Sequence, residues 1–329
     1  MSKKKILSGL VVMLVFMATI VGVSKMEKSL AASKGYFNEY NKITTIEHGD
    51  GYCGIQGMSV YGDWAYYAKI QKFANQPFTG NGGIWAYNLK TGERIKAYDV
   101  ATNSPVFRIG HANCLFVNSN HMYIAGTYNE GESNIPTIIR FNIENTGDRV
   151  NLTNRKEYKL YSQKDKKGNV IIASGIEYAG SMGGFVVKSK TSIYFGNFAD
   201  DYFDWTKKYD LATQVKCKNE VIDLEYDRFF RYQSLYYKDG VLYLPLHSLK
   251  LAQQSLVVGF RLTSNTPNGT VLPAVDDSIV RITSNNAYPV TFEAEAVSCY
   301  NGKMIMAVNG KKAGNVTEDT LVEIKGFNF

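Results

Sequence analysis

The sequence lacks the short motifs on which the commonest enzyme chemistries depend. It contains no GxSxG, HExxH, GxGxxG or Walker segment, so a nucleophile elbow, a helical zinc site and a phosphate-binding loop are not indicated. Cysteine is scarce and never occurs as a CxxC pair, which gives a zinc site little support. We expect small buried thiols or, in an exported chain, disulfides. The four cysteines are Cys53, Cys114, Cys217 and Cys299.

Proline is also scarce, and charge is evenly spread beyond the N-terminus. There are 7 prolines in 329 residues, whereas aromatic residues make up 13%, a composition that favours strands over disorder. The net charge is +7, but residues 1–33 carry five lysines and one glutamate, a net of +4 that leaves +3 for the rest. No Lys/Arg stripe interleaved with aromatics is present, so nucleic acid is not indicated as a partner.

The N-terminus has the pattern of an export signal. Three lysines, Lys3 to Lys5, precede an uncharged and mostly apolar run over residues 6–24, which is close to the length that spans a bilayer. The run is either a signal peptide cut near residues 30–33 or a retained membrane anchor. Residues 1–33 are therefore predicted to be a signal peptide or anchor. Residues 34–329 are predicted to lie outside the cytoplasm, secreted or held at the outer side of the cytoplasmic membrane.

A repeat of about 60 residues organises the chain. Five segments share a polar, a small and an apolar residue in succession, and their polar positions lie 57, 61, 59 and 62 residues apart. Four are followed by a tight-turn signal and a second apolar run, which predicts a hairpin. In the third copy we expect a longer connection over residues 180–188 and a second strand at Ser192–Phe195. The five segments are Gln56-Gly57-Met58, Asn113-Cys114-Leu115, Ser174-Gly175-Ile176, Gln233-Ser234-Leu235 and Glu295-Ala296-Val297.

Two further strands follow each hairpin, and four strands per repeat are typical of a propeller blade. The fold class predicted is therefore all-β: a single five-bladed β-propeller over residues 34–329. The last copy ends after its third strand, and residues 42–46 offer a fourth. This N-terminal strand would complete the C-terminal blade and remove an exposed edge. A pair of β-sandwiches, the alternative fold, does not require a five-fold period.

In propellers the first strand of each blade lines the central channel, so the triplets place polar side chains at one mouth of it. Residues at equal offsets from the triplets should be neighbours around the ring. A cation, an imidazole and two carboxylates at that height would suit a small polar ligand, although polar residues also line water-filled channels, and Arg231 could simply pair with Glu293 or Glu295. The predicted ligand-binding residues are His111, Arg231, Glu293, Glu295, Gln56, Asn113, Gln233 and Ser174.

One segment, residues 197–207, is predicted to be a loop on the same face. It carries Tyr202 and Trp205, which could stack on a sugar ring, among three aspartates. The aromatics could equally fold back onto the blade. No cofactor is expected, although Asp200, Asp201 and Asp204 could hold Ca²⁺, a cation that prefers oxygen ligands.

The segments Gly110-His111-Ala112-Asn113, Gln56-Gly57 and residues 293–297 resemble exported Gram-positive propellers of the helveticin J-like type, which are class III bacteriocins and relatives. This resemblance covers the inner-strand motifs only, and Asn113 stands where a carboxylate is expected. It implies the propeller fold, an exported setting and, more weakly, antibacterial activity.

Three functions remain open from the sequence. The first is binding of a cell-surface or extracellular glycan, or of a wall polymer, by a monomer that meets the membrane only through its N-terminal segment. The second is bacteriocin-like activity, from the resemblance alone. The third is glycoside hydrolysis, which requires two carboxylates at a defined separation. The inner strands offer Glu177, Glu293 and Glu295, two of them from one blade, so catalysis is the less favoured expectation.

Overall fold

The structure is a computed structural model, and the segment predicted as a signal peptide or anchor lies outside its described residues. Within the described part of the chain, no helix is long and apolar enough to cross a membrane. Regular structure there consists of 26 strands and two 3-10 turns, Gly180–Met182 and Ala313–Asn315. The described residues are 35–46, 51–71, 80–126, 138–161, 171–252, 254–283 and 287–329.

The strands form five antiparallel blades, and their inner strands contact one another around a ring. Two short strands come first in the chain, β1 (Gly35–Phe37) and β2 (Tyr40–Ile46). Blade one then contains β3 (Tyr52–Tyr61), β4 (Trp64–Gln71), β5 (Asn81–Asn88) and β6 (Arg94–Asp99), with the short β7 (Phe107–Arg108) pairing to β5. Blade two contains β8 (Cys114–Asn118), β9 (His121–Ala125), β10 (Ile138–Asn145) and β11 (Arg149–Tyr161). Blade three contains β12 (Gly175–Ala179), β13 (Gly184–Ser189), β14 (Ser192–Phe198) and β15 (Tyr202–Leu211).

Blade four carries an additional hairpin, β16 (Gln214–Cys217) and β17 (Glu220–Asp223), beside its outer strand. Its inner strand is divided into β18 (Phe230–Tyr232) and β19 (Tyr236–Lys238), and β20 (Val241–Ser248), β21 (Ser255–Arg261), β22 (Val271–Leu272) and β23 (Ala274–Ile282) follow. Blade five contains β24 (Thr291–Tyr300), β25 (Lys303–Lys311) and β26 (Thr317–Asn328). Each blade is thus a twisted sheet with chain order running outward from the channel.

Blade three differs from its predicted layout. The stretch 180–188 is not a long connection, because most of it is β13, and the predicted second strand Ser192–Phe195 is the third. A 3-10 turn and Gly183, which has a φ of 74°, reverse the chain after β12. A second reversal at Lys190, with a φ of 51°, begins β14. The sequence around Lys190 carries no glycine, so the hairpin signal was missed.

A hydrophobic cluster lies between each pair of neighbouring blades, and there are five such clusters in the described structure. Between blades five and one, for example, Ile46 and Leu321 pack with Ile55 and Met58. Because successive side chains of a strand point to opposite faces, each blade buries both of its faces against its neighbours. Burial of apolar surface on both sides of every sheet therefore holds the ring together.

The prediction that an N-terminal strand closes the ring is confirmed. β2 pairs antiparallel with β26, from Tyr40 opposite Ile324 to Ile46 opposite Asp319. The last blade therefore combines three strands from the end of the chain with one from its start. This pairing leaves no open edge on β26.

The outer strands also form a belt around the ring, which the sequence did not indicate. The end of each outer strand pairs in parallel with the beginning of the next: Lys96–Asp99 with Arg149–Leu152, Lys159–Tyr161 with Tyr202–Asp204, Asp210–Leu211 with Val271–Leu272, and Ser278–Val280 with Gly35–Phe37. Between blades five and one, the Arg94 guanidinium donates to the carbonyl of Thr45 at 2.9 Å. The blades are thus joined at the rim as well as at the core.

Candidate functional site

The five inner strands begin on the same face of the ring, which we call the mouth. Because the strands of each blade alternate in direction, connections from an outer strand to the next inner strand lie on this face. Gln56 and Glu295 lie within β3 and β24, Gln233 lies between β18 and β19, and Asn113 and Ser174 directly precede β8 and β12. All five triplet residues therefore lie near the mouth.

Hydrogen bonds between neighbouring inner strands fix a common register. Ser59 and Ser298 each lie three residues after the polar residue of their own triplet. Ser59 accepts a hydrogen bond from the backbone N–H of Val117 at 3.1 Å, and Ser298 accepts one from the backbone N–H of Val60 at 2.9 Å. Each donor lies four residues after the next triplet's polar position. Glu177 occupies the same position in blade three and accepts a hydrogen bond from the backbone N–H of Tyr237. Triplet residues of adjacent blades are therefore neighbours at one height.

Close approach of the inner strands explains the small residue in each triplet. A Cβ on Gly57 would lie 2.3 Å from the backbone nitrogen of Leu115. A Cβ on Gly175 would lie 2.8 Å from Cδ2 of Leu235. Real atoms do not approach so closely, so a side chain at Gly57 would displace the backbone of the neighbouring blade, and one at Gly175 would displace the Leu235 side chain.

An acidic cluster lies at the mouth where blades four, five and one meet. Gln233 Nε2 donates to Glu293 Oε1 at 2.8 Å. Glu295 is buried, with 3% exposure. Burial, the charge of Glu293 and the charge of Asp319, in that order, raise the pKa of Glu295 well above its ordinary value. The cluster therefore combines a buried carboxyl group whose pKa is raised with the half-buried side chain of Glu293, two positions earlier in β24.

A buried ion pair supports this cluster from behind. Lys69 Nζ lies 3.0 Å from Asp319 Oδ2, and the same oxygen accepts the backbone N–H of Ile55 at 2.9 Å. Burial lowers the pKa of Lys69, while the attraction of Asp319 opposes that shift. Gly54, the residue before Ile55, has a φ of 65°. A side chain at this position would meet Asn309 Nδ2 and Gln56 Nε2.

The structure does not pair Arg231 with the carboxylates at the mouth. Its side chain is 66% exposed, and its ion pair is with Asp227, at 3.7 Å. Arg231 lies in β18 and pairs with His247 of β20. The predicted alternative of a salt bridge with Glu293 or Glu295 is therefore wrong, since Glu293 takes its hydrogen bond from Gln233 instead. Any contact of Arg231 with a ligand stays a prediction.

Other predicted residues remain at the mouth with defined surroundings. His111 is half-buried in the turn before β8. Asn113 Oδ1 is buried, and no hydrogen-bond partner for it is present among the described residues. Ser174 Oγ accepts a hydrogen bond from Lys188 Nζ at 2.6 Å. Whether His111, Asn113 and Ser174 contact a ligand stays a prediction.

The segment 197–207 is not a loop at the mouth. Its residues end β14 and begin β15, with a tight turn at residues 199–201 that joins the third and fourth strands of the blade on the opposite face. Tyr202 is buried, and Trp205 packs edge-on against Tyr194 with 5.3 Å between ring centroids. These aromatics pack onto their own blade because strand pairing, rather than loop structure, sets their direction.

The aspartates of this segment do not form a visible metal site. Asp200 and Asp201 are exposed at the turn, and Asp204 lies in β15. In the part of the chain that the structure describes, no group of three His, Cys, Asp or Glu side chains is placed to hold a metal ion. The calcium alternative stays a hypothesis without a ligand cluster to support it.

Sequence reasoning missed three charged residues of the second and third strands, Lys69, Lys188 and Asp319. A signal was present for the lysines, because Lys69 interrupts the apolar run Tyr66-Tyr67-Ala68-Lys69-Ile70 and Lys188 directly follows the apolar run Phe185-Val186-Val187. A charge on a strand buried on both faces is costly unless a partner satisfies it. Such interruptions therefore point to buried polar contacts.

No protein-family model matches the chain, and no curated protein matches it. Among solved structures it is similar to a GH43 β-xylosidase/α-arabinofuranosidase from a compost microbial metagenome, at 10% identity and a TM-score of 0.46 over 89% of this chain and 95% of that one. It is also similar to an exo-β-1,3-galactanase from Phanerochaete chrysosporium, at 10% identity and a TM-score of 0.44 over 85% of this chain and 64% of that one. A third similar structure is the tail fibre of Staphylococcus aureus phage P68, at 10% identity and a TM-score of 0.44 over 88% of this chain and 53% of that one. At these values the likeness carries no argument about activity or ligand.

The resemblance to helveticin J-like proteins is wrong. No family model supports it, and the solved structures similar to this chain include GH43 enzymes instead. The residues that suggested it are explained by the fold, since Gly57 permits the close approach of two inner strands. Short motifs of this kind follow from propeller geometry and do not identify a family.

Proposed function

We propose that this protein is an extracytoplasmic propeller that binds a carbohydrate, an extracellular glycan or a wall polymer, at the mouth of its channel. The observation that carries the proposal is the contact of Gln233 with Glu293 beside the buried Glu295. Carboxylate oxygens accept hydrogen bonds from sugar hydroxyls, and amides both donate and accept them. The cationic and apolar N-terminal segment supports export.

The arrangement suits a neutral polyol better than a strong anion. Two carboxyl groups interact at this point, and Lys69, a cation beside them, is already paired with Asp319. An anionic ligand would be repelled by Glu293. Inner strands joined blade to blade by hydrogen bonds hold the cluster in place, so binding requires little ordering of the site.

Glycoside hydrolysis is a second candidate, favoured by one observation. Glu293 and Glu295 are two carboxyl groups in different environments, and the charge of the first raises the pKa of the second. A protonated and an ionised carboxyl group are the pair that acid-assisted glycoside cleavage uses. Both groups come from β24, whereas the positions that correspond to Glu295 in blades one, two and four carry the amides Gln56, Asn113 and Gln233.

One experiment separates the two candidates. Residues 35–329 would be screened on a glycan array, and hits measured by calorimetry and by release of reducing sugar. For a binding protein, Glu293→Gln should weaken binding at least about tenfold, the range of one lost charge-assisted hydrogen bond, and no sugar should be released. For a hydrolase, Glu295→Gln should abolish release while binding persists.

The matched control is Glu157→Gln, which removes an exposed carboxylate on the outer strand β11 that pairs with Arg155. This variant should bind as the unchanged chain does. If Glu293→Gln, Glu295→Gln and Gln233→Ala all bind every array hit unchanged, the mouth is not the binding site and the proposal fails.

A further inference from the structure

Blade three contains a buried amine in direct contact with a serine hydroxyl. Lys188 Nζ lies 2.6 Å from Ser174 Oγ and 3.2 Å from the carbonyl of Tyr232. Lys188 is fully buried in β13. Its backbone carbonyl accepts the N–H of Ser174 at 2.7 Å, so the two residues are aligned by the sheet.

The amine of Lys188 is not balanced by a carboxylate. Among the described residues, no ion pair within 4.0 Å includes it. Two titratable groups face this region from neighbouring strands, Cys114 of β8 and Glu177 of β12. Burial raises the pKa of the Cys114 thiol to about 11 and that of Glu177 well above its ordinary value. Both shifts disfavour a negative charge beside the amine, and burial lowers the pKa of Lys188 to about 7.

The serine, unlike the lysine, is partly exposed at the mouth. Ser174 is half-buried where blade three's inner strand begins. It occupies the same register position as Asn113 and Gln233 in the adjacent blades. The partial exposure of Ser174 gives a small molecule in the mouth a route to this pair, while Lys188 lies behind the serine.

We propose that Ser174 and Lys188 form a nucleophile–base dyad that takes an acyl group from a carboxylic ester. A serine hydroxyl is a weak nucleophile until an adjacent base removes its proton, and a neutral lysine amine can be that base. A lysine normally remains protonated at neutral pH and cannot then accept a proton. Burial without a counter-ion lowers the pKa of the amine, which is what a lysine base requires. The proposal goes beyond carbohydrate binding and does not depend on it.

The reaction balances without a cofactor. Ser174 Oγ forms a bond to the ester carbonyl carbon as its proton passes to Lys188 Nζ. The tetrahedral adduct then breaks its bond to the alcohol oxygen, which leaves with the proton from Lys188. Water, deprotonated by Lys188, attacks the acyl-serine, and the carboxylic acid departs as Ser174 regains a proton. If the mouth binds a glycan, an O-acylated sugar is the substrate class that combines both sites.

A serine-directed fluorophosphonate probe tests the dyad directly. The chain would be incubated with probe between pH 5.5 and 8.5, and the labelled peptide identified by mass spectrometry. We expect labelling at Ser174, with a rate that rises through about pH 7 as the amine loses its proton. Ser174→Ala should remove the label, and Lys188→Met should slow labelling by about 10²-fold, the range of one general base.

The control is Ser181→Ala, because Ser181 contacts the Tyr237 hydroxyl and not a lysine. This variant should be labelled at the same rate as the unchanged chain. Absence of label at Ser174, or a rate unaltered in Lys188→Met, would overturn the proposal. If Lys188→Met fails to fold, Ser174→Cys retains the lysine, and its alkylation by iodoacetamide at pH 7 should be faster than that of Ser181→Cys. Equal alkylation rates would likewise overturn it.

Discussion

Lys69 and Asp319 form a buried ion pair that joins the first blade to the last, with 3.0 Å between Nζ and Oδ2 and side-chain exposures of 2% and 0%. Removal of one partner leaves an uncompensated charge in the core. We therefore expect Asp319→Asn to lower the free energy of unfolding by about 3–5 kcal/mol. Denaturation in urea would measure the change.

A double variant provides the comparison for this pair. Lys69→Met combined with Asp319→Leu removes both charges, so it should be more stable than either single variant. The backbone N–H of Ile55 then lacks its acceptor, which keeps the double variant below the unchanged chain. Additive losses from the two single changes would show that the pair is not coupled.

Ring closure depends on residues 35–46. A chain that begins at residue 48 lacks β1 and β2, exposes the edge of β26 and leaves Ile46's place in the core empty. We expect it to lose several kcal/mol, a large share of the stability of an ordinary domain, and to aggregate. The reference is a chain that begins at residue 35. Equal melting temperatures of the two chains would contradict closure by β2.

Gly57 tests how closely the inner strands approach. Gly57→Ala places a Cβ 2.3 Å from the backbone nitrogen of Leu115, and backbone cannot move aside as a side-chain end can. We expect a loss of about 1–3 kcal/mol in the free energy of unfolding. The control is Gly180→Ala, whose nearest new neighbour is Cε1 of Tyr178 at 3.4 Å. A stability of Gly57→Ala no lower than the control would argue against this packing.

Glu318 should account for part of the loss of folding stability in acid. Although partial burial acts to raise its pKa, hydrogen bonds from Lys312, Lys42 and Tyr288 lower it from 4.5 to about 2. The folded state therefore holds this group ionised where the unfolded state protonates it. Its contribution to stability is present above about pH 4.5 and is lost as the pH falls toward 2. In Glu318→Gln, unfolding free energy should depend less steeply on pH in that window, whereas Glu39→Gln, an exposed control, should keep the slope.

The pKa of Glu295 should respond to Glu293. The negative charge of Glu293 contributes to the raised pKa of Glu295, so Glu293→Gln should lower that pKa. Because burial is the larger cause, the pKa should still remain above its ordinary value. Carboxyl-carbon NMR titration would follow the group. An unchanged pKa in Glu293→Gln would mean that the two side chains do not face each other.

The repeat was readable from sequence because close packing of inner strands permits only small residues at one position per blade. Gly57 and Gly175 are examples, and their spacing gave the number of blades and the strand that closes the ring. Hairpins with turn pairs such as Asp239-Gly240, both at positive φ, were also predictable, since few residues adopt that conformation. The Lys190 turn lacks such a pair, and the second strand of blade three was missed.

The site was less predictable because its charged residues come from different strands. Glu293, Glu295 and Gln233 follow from the inner-strand register, but Asp319 and Lys69 reach the cluster from β26 and β4. Ser174 was a candidate by position, whereas its partner Lys188 lies on the next strand. The direction of Arg231 depends on a local pairing with Asp227. The position of a residue within one repeat does not reveal these contacts between strands.

The belt of outer strands has a mechanical consequence. Parallel strands that overlap end to end separate under a pull along the ring only when several hydrogen bonds break at the same time, so they resist such a pull. Among the described residues, four junctions of the belt are built in this way, and the contact at the fifth is the hydrogen bond from the Arg94 guanidinium to the Thr45 carbonyl. Under load the belt should part at that seam, between the blade that contains β2 and β26 and the blade that contains β3.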